Sequence, residues 1–211
     1  MIKVAIFGAT GGIGKYAVQH SLNKGYHVKA HVRDKSKLIL KHENLTIIQG
    51  EINDYESVSA TIKGCDAVIW CVGVPMKKYT GMASLDGHRV LIKAMKDYGV
   101  SRLIDWATPS IPFKNDKKSL ITVVPGLLAG VLFKQAKAEM IAIGELIVNS
   151  DLDWTFVRFM APKDTPYTGK IKVGFGDVKM NFNISRSDIA GFMVEQVFSK
   201  QYIHSMPIIG S

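Results

Sequence analysis

Ile2-Lys3-Val4-Ala5-Ile6-Phe7-Gly8-Ala9-Thr10-Gly11-Gly12-Ile13-Gly14-Lys15-Tyr16-Ala17-Val18 is the stretch that decides the fold. An apolar run without a turn residue breaks into glycines at 8, 11 and 14, and apolar residues then resume at helical spacing. That order reads as strand, glycine-rich turn and helix. Gly8 turns the chain off the strand, Gly11 admits a close backbone approach, and Gly14 lets the helix pack tightly on the sheet. The free N–H groups around Thr10, Gly12, Ile13 and Gly14, together with the helix dipole, then face a diphosphate. A tight strand–helix turn without a ligand is the alternative. Agreement with the position at the chain start and with a basic residue at the end of the next strand favours a dinucleotide.

Working outward, Asn23-Lys24-Gly25 stops the first helix, and Tyr26 to Val32 reads as a second strand ending at Arg33-Asp34. An acidic residue there bonds the ribose 2′-hydroxyl of NAD, whereas an arginine accommodates the 2′-phosphate of NADP. Arg33 comes first, with Lys37 within reach, so NADP is the expected cofactor. NAD stays open because Asp34 can turn inward. Leu45 to Gln49 is a third strand, after which Glu51 and Ile52 either meet the adenine edge or form a plain turn. Asp54 is the expected N-cap of a helix over Tyr55 to Lys63, stopped by Gly64. Ala67 to Val72 is apolar enough to be a strand buried on both faces. Its exit, Gly73-Val74-Pro75, is expected to pass beneath the cofactor's ribose and nicotinamide, with Cys71, Val72 and Gly73 as cofactor contacts.

A helix through Val90, Leu91, Ala94, Met95 and Tyr98 ends at Gly99, and Ser101 to Ala107 is the fifth strand. Strand and helix alternate without interruption, which predicts an α/β fold: a Rossmann-type, doubly wound parallel sheet with a small C-terminal lobe on the substrate side. Trp154 to Phe159 reads as a sixth strand, Lys170 to Phe182 as two short strands, and Met206 to Ile209 as a last one. Ser185 and Asp188 read as a capping box before a helix at Ile189. All 211 residues fit one domain, with acceptor-side elements mainly at 108–135 and 159–185.

Composition narrows the function classes. The net charge of +9 raises nucleic acid as a partner, but the lysines are scattered, with short groups only at Lys77-Lys78 and Lys117-Lys118. The excess reads as solvated surface plus a few residues for cofactor phosphates, with no specific nucleic-acid partner. Cys65 and Cys71 lack metal-ligand or redox spacing and read as buried apolar residues, so no metal site is expected. A first strand starting at residue 2 leaves no room for a secretory leader, and no stretch suits a membrane span, so the expected compartment is the cytoplasm.

Several segments together resemble the NmrA-like and NAD(P)H-flavin reductase group of atypical short-chain dehydrogenases/reductases, which includes biliverdin reductase B. They are Gly8 to Gly14, Val32-Arg33-Asp34, Lys63 to Ile69, Gly99 to Ile104, Ser150 to Arg158 and Ile184 to Ala190. The resemblance implies that the glycine turn, Arg33 and the loop at Gly73 hold NADP(H), and that Thr108 stands beside the nicotinamide. Standard members of the wider family place a tyrosine and, four residues on, a lysine on one helical face; here the pair is Phe133 and Lys137. Phenylalanine donates no proton, and Lys137 reads equally as a surface lysine or a cofactor contact. Loss of the tyrosine argues against alcohol chemistry and for hydride transfer to a flavin, quinone or similar planar acceptor, the flavin being substrate rather than prosthetic group. Thr108 either orients the carboxamide or the acceptor, or merely caps the strand before Pro109. Pro109, Phe159 and Met160 are the candidate acceptor contacts, with core packing the alternative for at least one of the last two. The apolar stretch at 120–133 reads as core-facing, as a flap over the acceptor, or as a patch for a homodimer. The rival function is an NmrA-like regulatory protein that senses the redox state of the cofactor without turnover.

Overall fold

The structure, a computed structural model, describes residues 1–75, 79–117 and 133–211. Lys77-Lys78 and the apolar stretch at 120–132 therefore lie outside the described residues. In chain order the elements are β1 (Lys3–Phe7), α1 (Gly14–Asn23), β2 (His27–Val32), β3 (Leu45–Gln49), α2 (Tyr55–Ile62), β4 (Ala67–Trp70), α3 (Ala83–Asp97) and β5 (Arg102–Ala107). There follow α4 (Lys134–Val148), β6 (Asp153–Arg158), β7 (Pro162–Lys163), β8 (Lys172–Gly174), β9 (Ile184–Ser185), α5 (Arg186–Glu195) and β10 (Ile208–Gly210).

Among the described residues, eight strands form one sheet in the order β3-β2-β1-β4-β5-β6-β10-β8, and β7 pairs with β9 beside it. Every pairing in the large sheet is parallel except that of β8 with β10. Parallel central strands need cover on both faces, which explains why every residue of β4 is buried. One core lies against α2, α3 and α4, around Trp70, Leu91, Met95 and Ile147. The other lies against α1 and α5, around Ile6, Val18, Ile69, Ile189 and Met193. The chain is thus the doubly wound Rossmann-type sheet expected from its alternation. From β1 it winds outward to β2 and β3 on one side and crosses to β4 on the other, which opens a crevice at the carboxyl end of β1.

Local signals placed most boundaries. Asp54 caps α2 by accepting from the amides of Glu56 and Ser57, and Gly25, Gly64 and Gly99 adopt φ of +74°, +74° and +67° after their helices. Two expectations need correcting. Lys170 to Phe182 holds one strand, β8, rather than two: Asp177 accepts from the Phe175 amide and Gly176 takes φ +100°, so the chain bends where a second strand would start. The capping box is half formed. Ser185 accepts from the Ser187 amide, but Asp188 does not reach back to it. Instead the buried Asp188 carboxylate accepts from the amides of Thr168 and Gly169 and from the Thr168 hydroxyl, each at 2.8 Å. That pins the segment after β7 onto α5.

Candidate nucleotide-binding cleft

The glycine loop closes on itself. Gly8 has φ +73°, and a Cβ there would stand 2.8 Å from the Cys71 carbonyl. At Gly14 a Cβ would stand 2.0 Å from the Gly8 oxygen, so α1 starts closer to β1 than any side chain allows. The Gly11 amide donates to Gly8 at 2.9 Å and the Lys15 amide to Gly11 at 3.1 Å. No acceptor among the described residues receives the amides of Gly12, Ile13 or Gly14. A cradle of unpaired N–H groups at a helix start fits the diphosphate of a dinucleotide.

Beside this loop lies a cleft of about 400 Å³. The sequence-predicted residues Gly8, Thr10, Gly11, Arg33, Glu51, Ile52, Cys71, Val72 and Gly73 line it. Gly12, Ile13 and Gly14 form the loop behind it, and Lys37 is exposed on the short 3-10 turn Lys35–Lys37 without lining it. At the end of β2 the exposed Arg33 borders the cleft, whereas Asp34 turns the other way. Its Oδ1 accepts from the Ser36 amide at 3.0 Å and the Ser36 hydroxyl at 2.7 Å, which holds this carboxyl below its usual range. Burial raises the Cys71 thiol, so it lines the wall as a neutral group.

The family model described as NAD(P)H-binding matches residues 8–200. The chain belongs to the NAD(P)H-binding family. An isoflavone reductase homologue of Nicotiana tabacum is 31% identical over 215 residues, covering 92% of this chain and 64% of that protein. Another of Arabidopsis thaliana is 29% identical over 220 residues, with the same shares, so the chain spans 64% of the length of these two relatives. Among solved structures, ChuY, an anaerobilin reductase of Escherichia coli, superposes with a TM-score of 0.79 at 19% identity, over 99% of this chain and 96% of its own. A short-chain dehydrogenase/reductase of Veillonella parvula in complex with NADP gives 0.78 at 16%, over 100% and 94%. At these identities the likeness speaks for the fold. The sequence's resemblance to atypical, NmrA-like short-chain dehydrogenases/reductases is borne out.

In this member of the NAD(P)H-binding family, Ala83 and Ser84 at the start of α3 also line the cleft. The sequence pattern gave no reason to select either residue, nor His31, Val32 or Asn53, which also line the cleft, whereas Pro75, expected there, does line it. The start of α3 is fixed from α4. The fully buried Glu139 accepts from the amides of Ser84 at 2.8 Å and Leu85 at 3.0 Å, and from the Tyr79 hydroxyl. Gln135, one turn earlier, donates to the Tyr79 carbonyl at 2.6 Å. One turn into α3, the buried His88 bridges the Ser84 carbonyl at 2.6 Å and the Asp105 carboxylate at 3.0 Å. Both ring nitrogens thus face oxygen atoms, which fixes the ring between α3 and β5.

After β5, Thr108 bonds the Ser110 hydroxyl, and its carbonyl accepts from the Ile111 amide at 3.0 Å. Thr108, Pro109, Met160 and Lys137 do not line the cleft. Phe159 is buried against Trp106, and Ala161 takes φ +43° as the chain leaves β6. Phe133 immediately precedes α4. The hollow next to the cleft, between Val72, Trp106 and Phe156, holds only about 10 Å³, room for a single water. No helix among the described residues is long and apolar enough to cross a membrane.

Proposed function

We propose that the chain is an NADPH-preferring oxidoreductase that reduces a flavin, quinone or similar planar acceptor taken as substrate, acting as one domain in the cytoplasm. The observation that carries the reading is the cleft ending in Arg33 with the neighbouring carboxylate withdrawn onto Ser36. A guanidinium suits a 2′-phosphate, and an Asp34 committed to Ser36 leaves no acidic partner for a 2′-hydroxyl at that point. When bound, NADPH supplies the hydride. The chain's contribution is position: the amides of Gly12 to Gly14 hold the phosphates, and Val72 and Gly73 set the depth of the far ribose. Phe133 in the place of a proton-donating tyrosine supports an acceptor that takes its proton from water.

Mixing the protein with NADPH and FMN, FAD or a quinone, and following the loss of nicotinamide absorbance, tests turnover. Arg33→Ala tests the cofactor: NADPH affinity falls about 10- to 100-fold, the worth of a charge-assisted contact, while NADH affinity changes little. Equal losses for both cofactors overturn the preference.

The small volume of the hollow beside the cleft favours a second reading, a redox-sensing regulator without turnover. Tight NADPH binding with no oxidation by any planar acceptor selects it.

A further inference from the structure

Arg186 opens α5, and its side chain lies across the glycine loop. A Cβ on Gly12 would stand 2.9 Å from the Arg186 Nε and 3.0 Å from its Cδ. The far end of the guanidinium pairs with Asp164, Nη1 to Oδ2 at 2.7 Å, with Arg186 27% and Asp164 67% exposed. Asp164 follows β7, in the segment that Asp188 and Ser185 tether to α5 through Thr168, Gly169 and Thr165. An ion pair whose acidic member is two-thirds in water adds little to stability. The same guanidinium lies against the loop whose amides at Gly12, Ile13 and Gly14 have no acceptor. A diphosphate there offers two negative charges and planar pairs of oxygens, a better match for a guanidinium fork than one exposed carboxylate.

We propose that Arg186 is a diphosphate ligand of the cleft, parked on Asp164 and transferred to a phosphate oxygen when the nucleotide enters. The inference rests on the dinucleotide reading of the cleft and adds a side chain to what was a backbone-only anion site. Asp164 is then a competitor: it occupies the guanidinium and sets a like charge near the phosphates. Because the diphosphate is common to NADPH and NADH, Arg186 serves both equally, whereas Arg33 meets only the 2′-phosphate. Binding also leaves Asp164 unpaired, while the bonds of Asp188 and Ser185 keep the segment after β7 on α5.

Calorimetric titration of wild type, Arg186→Ala and Asp164→Asn with NADPH, NADH and ADP tests this. Both variants break the same ion pair, so a merely structural role moves them together, and thermal melts report any loss of folding. Arg186→Ala is expected to weaken all three ligands about 10-fold without changing the ratio of NADPH to NADH, and Asp164→Asn to tighten all three about 2- to 5-fold. Arg186→Ala binding within 2-fold of wild type, or Asp164→Asn weakening binding as Arg186→Ala does, overturns the inference while the dinucleotide reading stands. Absence of binding by the wild type overturns both.

Discussion

His31 makes the stability of the cleft depend on pH, and the size of the effect follows from its surroundings. The side chain is 1% exposed on β2, packs its ring 4.8 Å from that of Phe7, and has Nε2 3.3 Å from the Ser57 hydroxyl. Burial lowers its pKa from 6.5 to about 4, against a smaller opposing pull from Asp54. The unfolded chain therefore takes up a proton near pH 6.5 that the folded chain refuses until about pH 4. With more protons bound to the unfolded state in that window, stability is complete above the unfolded value and is lost as pH falls through it. Between pH 7 and pH 5 the loss from this one group is about 2 kcal/mol. For a chain of this size that moves a urea midpoint by about 1 M. Asp34, Asp54 and Asp97 have carboxyls held below their usual range, so their contributions are lost at more acid pH and do not overlap. The assay is urea unfolding at both pH values for wild type and His31→Gln, which keeps a polar group near Ser57 but does not titrate. The wild-type midpoint is expected to fall about 1 M further than that of the variant. Equal falls would refute the argument.

Glu139→Ala leaves the buried amides of Ser84 and Leu85 without an acceptor, at about 1–3 kcal/mol each, and should lower the melting temperature by about 10 °C. Because Ala83 and Ser84 wall the cleft, NADPH affinity should fall with it, as titration will show. Gly14→Ala puts a Cβ where the Gly8 oxygen already sits, so dinucleotide binding should disappear. Gly25→Ala is the control: it strains a positive φ, unlike Gly14→Ala, but meets nothing within 4 Å, so it should cost about 1 kcal/mol of stability and leave binding unchanged.

The legible parts of the chain were those in which cause and effect are close in sequence. The run from Ile2 to Gly14 carries its own strand, turn and helix. Asp54 reaches amides two and three residues on, and Gly25, Gly64 and Gly99 act where they stand. Arg33 and Glu51 were identifiable because strand ends in an alternating α/β chain converge on one edge. The misreadings and omissions involve partners far apart in sequence. Asp188 has the right spacing for Ser185, yet bonds Thr168 and Gly169 because that segment is folded back onto α5. Ser84 and Ala83 enter the cleft only because Glu139, more than fifty residues later, fixes where α3 begins. For these positions no local pattern carries the signal, although a charged residue amid the apolar positions of α4 was a mark that Glu139 has buried work.

Trp106 lies on β5 with its indole Nε1 donating to the Val72 carbonyl at 2.9 Å, so a natural fluorophore is wired to the edge of the cleft. Reduced nicotinamide absorbs in the range where indole emits. A ligand whose ring comes to rest over Val72 and Gly73 would therefore drain excitation from Trp106 and dim the protein's own emission.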